Sequence, residues 1–370
     1  MTALSSIVRK PGVTRASLAL LGLGVMVAAT SLQGQTAQVP AVDKLVKVGG
    51  GLYEVAVGES TDSVYVASTA AGNRKIFVLD PRTLEVKNSI DVEAHPAFGI
   101  AFNNRTHTLY TSNTRSNNVT AIDADTGKVL SIITSPDGGP AHGFRLLVDE
   151  ESNLVYISLP GSPSRVWIID GATNTLAHEI TDVGTRSTGL ALDRAGNRLF
   201  VASIGDHAII EIDLATRRVT RQYPSGGQGT THLVFDPNGN RLFAGHQQSG
   251  DVTVIDTRTG EVLKTIPSGE GTLGMDMDRK NNLLYVANRR AGTVTVINTT
   301  TSEVVTTLEA GTMPNTVAVD SRTGDVYVSF KARPTGRGGR GRGAAAPPAA
   351  PVAAPAPDEG GDTVARIVLR

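Results

Sequence analysis

From about residue 50 onward the chain alternates short β-branched apolar stretches with turns rich in Gly, Asp and Asn, the two-residue period of half-buried strands. The stretches repeat. Val64-Tyr65-Val66-Ala67-Ser68 recurs as Leu109-Tyr110-Thr111-Ser112-Asn113, around Tyr156, Phe200 and Phe243, as Leu284-Tyr285-Val286-Ala287-Asn288, and around Tyr327. The aromatic anchors are spaced 45, 46, 44, 43, 42 and 42 residues apart, a period that marks one supersecondary unit copied along the chain. After each of the first six anchors an alternating strand ends in an acid or amide, namely Asp80, Asp123, Asp170, Asp213, Asp256 and Asn298. A turn such as Asp125-Thr126-Gly127-Lys128 follows, with glycine supplying positive φ. Each unit therefore holds four short strands, and seven such units predict an all-β, seven-bladed β-propeller.

The two ends of the chain complete the count. The seventh unit has strands near Asn315 to Asp320, Asp325 to Phe330 and Thr363 to Leu369, and then the sequence stops without a fourth. A lone strand, Lys44 to Val48, precedes the first unit at Gly51. Pairing that N-terminal strand with the last blade would close the ring and leave no open edge between repeats. The propeller is thus expected over 44–370.

Composition narrows the chemistry. Aromatic residues make up 4% against 40 glycines, which disfavours a helical bundle. Lys plus Arg equals Asp plus Glu at 35 each, so any electrostatic function must lie in local asymmetry rather than bulk charge. The absence of cysteine excludes disulfides, Cys-ligated zinc, c-type haem attachment and thiol nucleophiles. Arg9, Lys10 and Arg15 precede the apolar run Ala16 to Ala29 and the small residue Ala37, the order of a secretory signal over 1–37. That run is too short to span a bilayer, and no later segment reaches spanning length. Cleavage after Ala37 would remove those three basic residues, leaving 32 against 35 and a net charge of −3. A periplasmic or secreted monomer without a membrane span is expected. Residues 334–362 break the repeat with an Arg/Gly-rich stretch, an Ala/Pro tract and Asp358-Glu359, which reads as a disordered loop insertion in the last blade.

The strand Leu284-Tyr285-Val286-Ala287-Asn288 with Thr295-Val296-Ile297-Asn298 resembles the signature of YVTN-repeat β-propellers. The segment Asn103 to Asp123, the stretch Arg186 to Asp193 and the terminal Arg366-Ile367-Val368-Leu369 are similar to the YncE-type periplasmic branch. The resemblance covers 44–370 and implies an exported, cofactor-free binding propeller with an affinity for DNA. The repeat specifies the fold; activity has to be argued from a site.

In such a blade the loops joining the fourth strand to the next first strand, and the second to the third, share one face, here called upper. Arg74, Arg115, Arg145, Arg165, Arg186, Arg289, Arg290, Lys331 and Arg333 sort to that face, while most Asp residues at strand ends sort below. The lower acids also suit the capping of their own turns. Glu54, Gly99, Arg145, Gly189, His232, Gly274 and Thr316 fall at one level around the central channel, with Tyr53, Phe98 and Phe144 each one residue earlier. Small residues there would leave the mouth open. Arg145 beside His232 suits an anion, and an Arg145–Glu54 ion pair across the axis is the alternative. The candidate site is Arg115, Arg145, Arg186, His232, Arg289, Arg290, Lys331 and Arg333, with single-stranded DNA or another anionic group as ligand. The three arginines at 337, 340 and 342 add an RGG-like element to the same face.

The competing functions are an envelope partner-protein scaffold and a metal-dependent, lactonase-type hydrolase. The hydrolase would place calcium on Glu54, Asn288 and Asn315, although such enzymes typically have six blades. The seven histidines lack metal-ligand spacing, and His95, His142 and His232 are the ones that could converge above. No nucleophile elbow or phosphate loop appears, so no catalytic residue, metal or cofactor is assigned.

Overall fold

The computed structural model describes residues 38–139, 142–333 and 358–370. The expected signal segment 1–37 and residues 334–357 of the insertion lie outside them. Every regular element among the described residues is a β-strand, and the strands form seven antiparallel sheets of four. The first blade runs Leu52–Gly58, Ser63–Ser68, Lys75–Leu79 and Val86–Asp91 from the channel outward, and five further blades repeat this order. The seventh combines Pro314–Val319, Val326–Phe330 and Thr363–Leu369 with Pro40–Lys47, so the N-terminal strand closes the ring as expected.

That closing strand starts at Pro40, earlier than the alternation suggested. The register shifts between Val42 and Lys44, which throws Asp43 out of the ladder. A bulge of this kind breaks the two-residue period, so the pattern was legible only beyond it. Asp43 instead pairs with Arg366 at 2.9 Å and Arg370 at 2.6 Å, stitching the closure electrostatically.

The repeated aromatics are the inter-blade cement. Tyr65, Tyr110, Tyr156, Phe200, Phe243, Tyr285 and Tyr327 are all buried, packed where the inner strands of one blade meet the next. Tyr110 donates its hydroxyl to Asn174 Oδ1 at 2.5 Å and Tyr327 to the Pro81 carbonyl at 3.0 Å, each reaching an outer turn of the following blade. The strand-end amide of the sixth blade ties that blade to the connector from the fifth. Asn288 donates to the Ser268 carbonyl at 3.0 Å and Thr295 Oγ1 at 2.9 Å and accepts from Thr272 Oγ1 at 3.1 Å. In the fifth blade His246 takes that place, with Thr230 Oγ1 at 3.2 Å on Nδ1 and Thr253 Oγ1 at 3.0 Å on Nε2.

The acids at strand ends cap turns. Asp80, Asp123, Asp213 and Asp256 each accept from a backbone N–H two or three residues on. Many lower acids also face arginines that the sorting by face did not weigh: Arg194–Asp149, Arg198–Asp193, Arg241–Asp236, Arg322–Asp320 and Arg366–Asp325, at 2.5–2.8 Å. The register explains two of them, since Asp193 sits opposite Arg198 and Asp236 opposite Arg241 across the hairpin. The lower face is therefore less acidic than its list of Asp residues implied.

Part of the insertion is ordered. Asp358 accepts from Thr312 Oγ1 at 2.8 Å and from the Arg333 N–H at 2.7 Å, and Asp362 Oδ1 accepts from the Gly51 and Leu52 N–H groups at 2.9 and 3.2 Å. Disorder across the whole of 334–362 thus does not hold for 358–362, because these carboxylates satisfy loop N–H groups at the closure.

Candidate functional site

The inner strands bend as they reach the channel. Register shifts fall between Leu52 and Val55, Thr230 and His232, Thr272 and Gly274, and Pro314 and Thr316, at or beside the ring positions. Such bulges re-aim side chains. The result is a bar across the channel: Arg145 Nη1 donates to Glu54 Oε1 at 3.2 Å, and Arg145 Nη2 lies 3.3 Å from His232 Nε2. Glu54 Oε2 accepts from the Ile100 N–H at 3.1 Å. Burial pushes the Glu54 carboxyl up, against the pull of Arg145. His232 is held well below its ordinary value by burial and then by the Arg145 charge, so it is a neutral acceptor at physiological pH.

This geometry corrects the sequence-based assignment of Arg145 and His232. Arg145 is the middle and His232 one end of a charge and hydrogen-bond chain that starts at Glu54, so they are not free anion hooks, and the cross-axis ion pair is the arrangement found. The ring glycines are corrected as well. A Cβ on Gly189 would stand 2.7 Å from the His232 Cα, one on Gly274 2.8 Å from the Thr316 Cα, and one on Gly99 2.5 Å from the Phe144 carbonyl oxygen. Glycine is needed there because the next blade's backbone approaches closely.

The bar is the floor of one cavity and the roof of another. Below it a space of about 830 Å3 is lined by Leu147, Ala191, Val234, Asp276 and Arg279 among others. Above it lies a cup of about 260 Å3 bounded by Tyr53, Phe98, Phe144, Thr114, Leu273, Arg289 and Asn315. Its walls differ. The first three blades supply the aromatics: Tyr53 and Phe98 meet edge to face with centroids 5.0 Å apart, and Phe144 is 42% exposed. The sixth and seventh blades supply cations. Arg289 Nη2 donates to Asn315 Oδ1, Asn315 Nδ2 donates to the Tyr53 carbonyl at 2.9 Å, and Arg289 Nε finds no hydrogen-bond partner among the described residues. Lys331 Nζ lies 3.3 Å from the Tyr53 ring centroid, and the Arg115 guanidinium 5.3 Å from that of Phe98.

Of the sequence-predicted residues, then, Arg289 lines the cup, and Lys331 and Arg115 flank it through their aromatic partners. Arg186, Arg290 and Arg333 are exposed on surrounding loops and do not line it. Arg74 and Arg165 are paired with Glu93 and Glu179, at 2.7 and 3.0 Å, and do not join it. Asn315, which orients Arg289, was visible in sequence only as a possible calcium ligand. Glu54, Asn288 and Asn315 do not form a cation site: Glu54 is tied to Arg145, Asn288 is spent on the Ser268 carbonyl and Thr295, and Asn315 bridges Arg289 to Tyr53. His95, His142 and His232 take separate partners, respectively Asn118, the Thr114 carbonyl and Arg145. Among the described residues no group of three or more His, Cys, Asp or Glu could hold a metal ion.

Fold and cup together define a closed seven-bladed propeller with a plugged channel and an aromatic and cationic mouth. The chain belongs to the YNCE-like beta-propeller family, whose model matches residues 59–323. Proteins named YncE from Escherichia coli and Salmonella typhi are 36% and 34% identical to it over 202 residues, or 52% of this chain. The matched region covers 56% of each relative, so the chain spans about half the length of those proteins. Among solved structures, a chain of Kuenenia stuttgartiensis hydrazine synthase aligns with a TM-score of 0.65 at 17% identity, over 77% of this chain and 94% of that one. That likeness extends to the fold alone.

Proposed function

We propose that the protein is an exported binding propeller whose upper mouth takes single-stranded DNA. One base would enter the cup and stack on its aromatic wall while neighbouring phosphates meet Arg289, Lys331, Arg115 and the more distant Arg290. The observation that carries this reading is the joining of aromatics and cations at one cup: Tyr53, Phe98 and Phe144 line it together with Arg289, Lys331 lies against the Tyr53 ring at its rim, and neither cation forms an ion pair among the described residues. Stacking on aromatics beside a cationic track is how proteins hold single strands without reading sequence. The bar beneath would stop the base at the depth of Arg145.

Fluorescence anisotropy with a labelled oligonucleotide tests it. About four phosphate contacts give a log–log salt slope of roughly −3. Phe144→Ala removes an exposed stacking face, and at about 1–3 kcal/mol per stacked base the affinity falls by roughly 5- to 150-fold. Arg289→Ala/Arg290→Ala flattens the salt slope by about one to two contacts' worth. Binding that ignores ionic strength and both variants would remove nucleic acid as the ligand, leaving an envelope partner-protein scaffold as the better account. Export rests on the basic-then-apolar order of 1–37, and N-terminal sequencing of the protein recovered from the periplasm or medium checks it.

A further inference from the structure

The stretch after the second strand occupies the same place in every blade. The residues there are Thr69, Thr114, Pro160, Ile204, Gln247, Arg289 and Lys331. Cations stand side by side only where the sixth blade meets the seventh. The Lys331 backbone is fixed by its N–H donating to the Met313 carbonyl at 3.1 Å and its carbonyl accepting from Thr312 Oγ1 at 3.3 Å. Its side chain is thereby laid half-buried against the Tyr53 ring, at the rim of the cup.

Three charged or titratable groups face this amine. Arg289 opposes its protonation, Asp362 favours it, and the Tyr53 ring face favours it weakly at a half-exposed position. Asp362 is turned toward backbone, with Oδ1 accepting from Gly51, Leu52 and Ala332, and no carboxylate forms an ion pair with Lys331 among the described residues. Burial first, then Arg289, brings the Lys331 amine down to about 8. Roughly a tenth of it is then unprotonated at neutral pH, against well under a thousandth for an ordinary lysine near 10.4.

We propose that Lys331 is a carbonyl-reactive amine, and that the cup beside it takes small aromatic aldehydes bearing an anionic group. The ring lies along Phe98 and Phe144, the anion meets Arg289, and the carbonyl carbon is presented to Nζ. The nitrogen lone pair attacks that carbon to give a carbinolamine. The carbonyl oxygen then leaves as water, carrying off the remaining amine protons, and a C=N bond forms between Lys331 and the ligand. No oxidant or reductant is consumed. The site is independent of nucleic-acid binding, because it needs only the nucleophile, the aromatic wall and one cation.

The test is reductive trapping on the intact protein with 4-formylbenzoate and, separately, benzaldehyde, using borohydride and peptide mapping. At neutral pH the adduct at Lys331 should form at least about tenfold faster than at the exposed Lys47, Lys128 and Lys280, with a half-maximal rate near pH 8. 4-Formylbenzoate should outcompete benzaldehyde, and Lys331→Arg should abolish the mapped adduct at an unchanged melting temperature. Arg289→Gln should move the pH midpoint upward in the benzaldehyde arm, where loss of an anion contact plays no part. Labelling of Lys331 no faster than of the exposed lysines overturns the proposal, as does equal reactivity toward both aldehydes. A failure of oligonucleotide binding with trapping intact would count against the DNA reading alone.

Discussion

Replacing Arg145 by Met would test whether the channel bar is electrostatic. The substitution keeps much of the side-chain volume but leaves Glu54, 10% exposed, with the Ile100 N–H as its only partner among the described residues. An unpaired buried carboxylate has one escape, which is to take a proton. From the ordinary value of 4.5 to neutral pH, at about 1.36 kcal/mol per unit, that route costs about 3.4 kcal/mol. This sets a ceiling on the damage that falls within the range for broken buried pairs, about 3–5 kcal/mol. At about 2 °C per kcal/mol for a chain of this size, the variant should melt below the parent by up to about 7 °C at neutral pH. The sign of the pH dependence follows from the direction of the shift. Glu54 is raised in the folded state, so its contribution is fully present below the unfolded value and is lost as pH rises through the folded one. Removing Arg145 raises it further, so the gap between variant and parent should close as pH falls toward about 5. Thermal melts at both pH values, with Arg145→Met/Glu54→Gln alongside, decide the matter. The double variant should recover most of the loss, because no buried charge remains. A gap that is the same at both pH values, or a double variant as weak as the single one, would refute the electrostatic account.

Deleting residues 40–48 should expose the Thr363–Leu369 edge and convert a cooperative melt into aggregation, read by light scattering; an unchanged melt would mean that the closing strand contributes nothing. His246 is held down to about 4 by burial, so the stability it confers is present above its ordinary 6.5 and is lost as pH falls from there toward 4. His246→Asn, which restores the amide found at Asn113 and Asn288, should lose less melting temperature than the parent across that window. A parallel decline of the two proteins would exclude His246 as the titrating group.

The blade count and the aromatic anchors were legible because they are local and repeated, a pattern within one unit copied seven times, and the closure because the seventh unit lacks the fourth strand that the chain's other end supplies. The Asp43 bulge was not, because one extra residue inverts the alternation that defines a strand. Membership of the channel ring was readable by aligning strand ends, but the purpose of its members was not. Whether Gly189 opens a mouth or admits a neighbour depends on how closely His232 approaches, which is set by packing between blades. Arg145, Glu54 and His232 belong to alternate blades, so their bonding depends on the channel's width, and the single-blade pattern carries no such information. The lower-face arginines were legible in principle. Arg198 follows Asp193, and Arg241 follows Asp236, at the same spacing, and a two-residue period places each pair across one hairpin.

The propeller's near symmetry also indicates where function departs from structure. A position repeated in every blade serves the blade, as the buried aromatic anchors from Tyr65 to Tyr327 do; a position that differs in kind between blades is free to serve a ligand. By that criterion the aromatic wall of blades one to three and the cations of blades six and seven are the asymmetric elements. They meet at Tyr53 and Lys331, the seam between the last blade and the first. The same seam is held by Asp362, which accepts from Gly51, Leu52 and Ala332, and by Asp358, which accepts from Arg333 and Thr312. The residues that close the ring therefore also fix the backbone on both sides of the cup. Asp362→Ala would remove the acceptor shared by Gly51, Leu52 and Ala332, together with the one carboxylate that favours protonation of Lys331, and should loosen Lys331 from the Tyr53 ring. Its effect on ligand affinity should consequently exceed that of an equally destabilising substitution in the outer strands, such as Arg366→Ala.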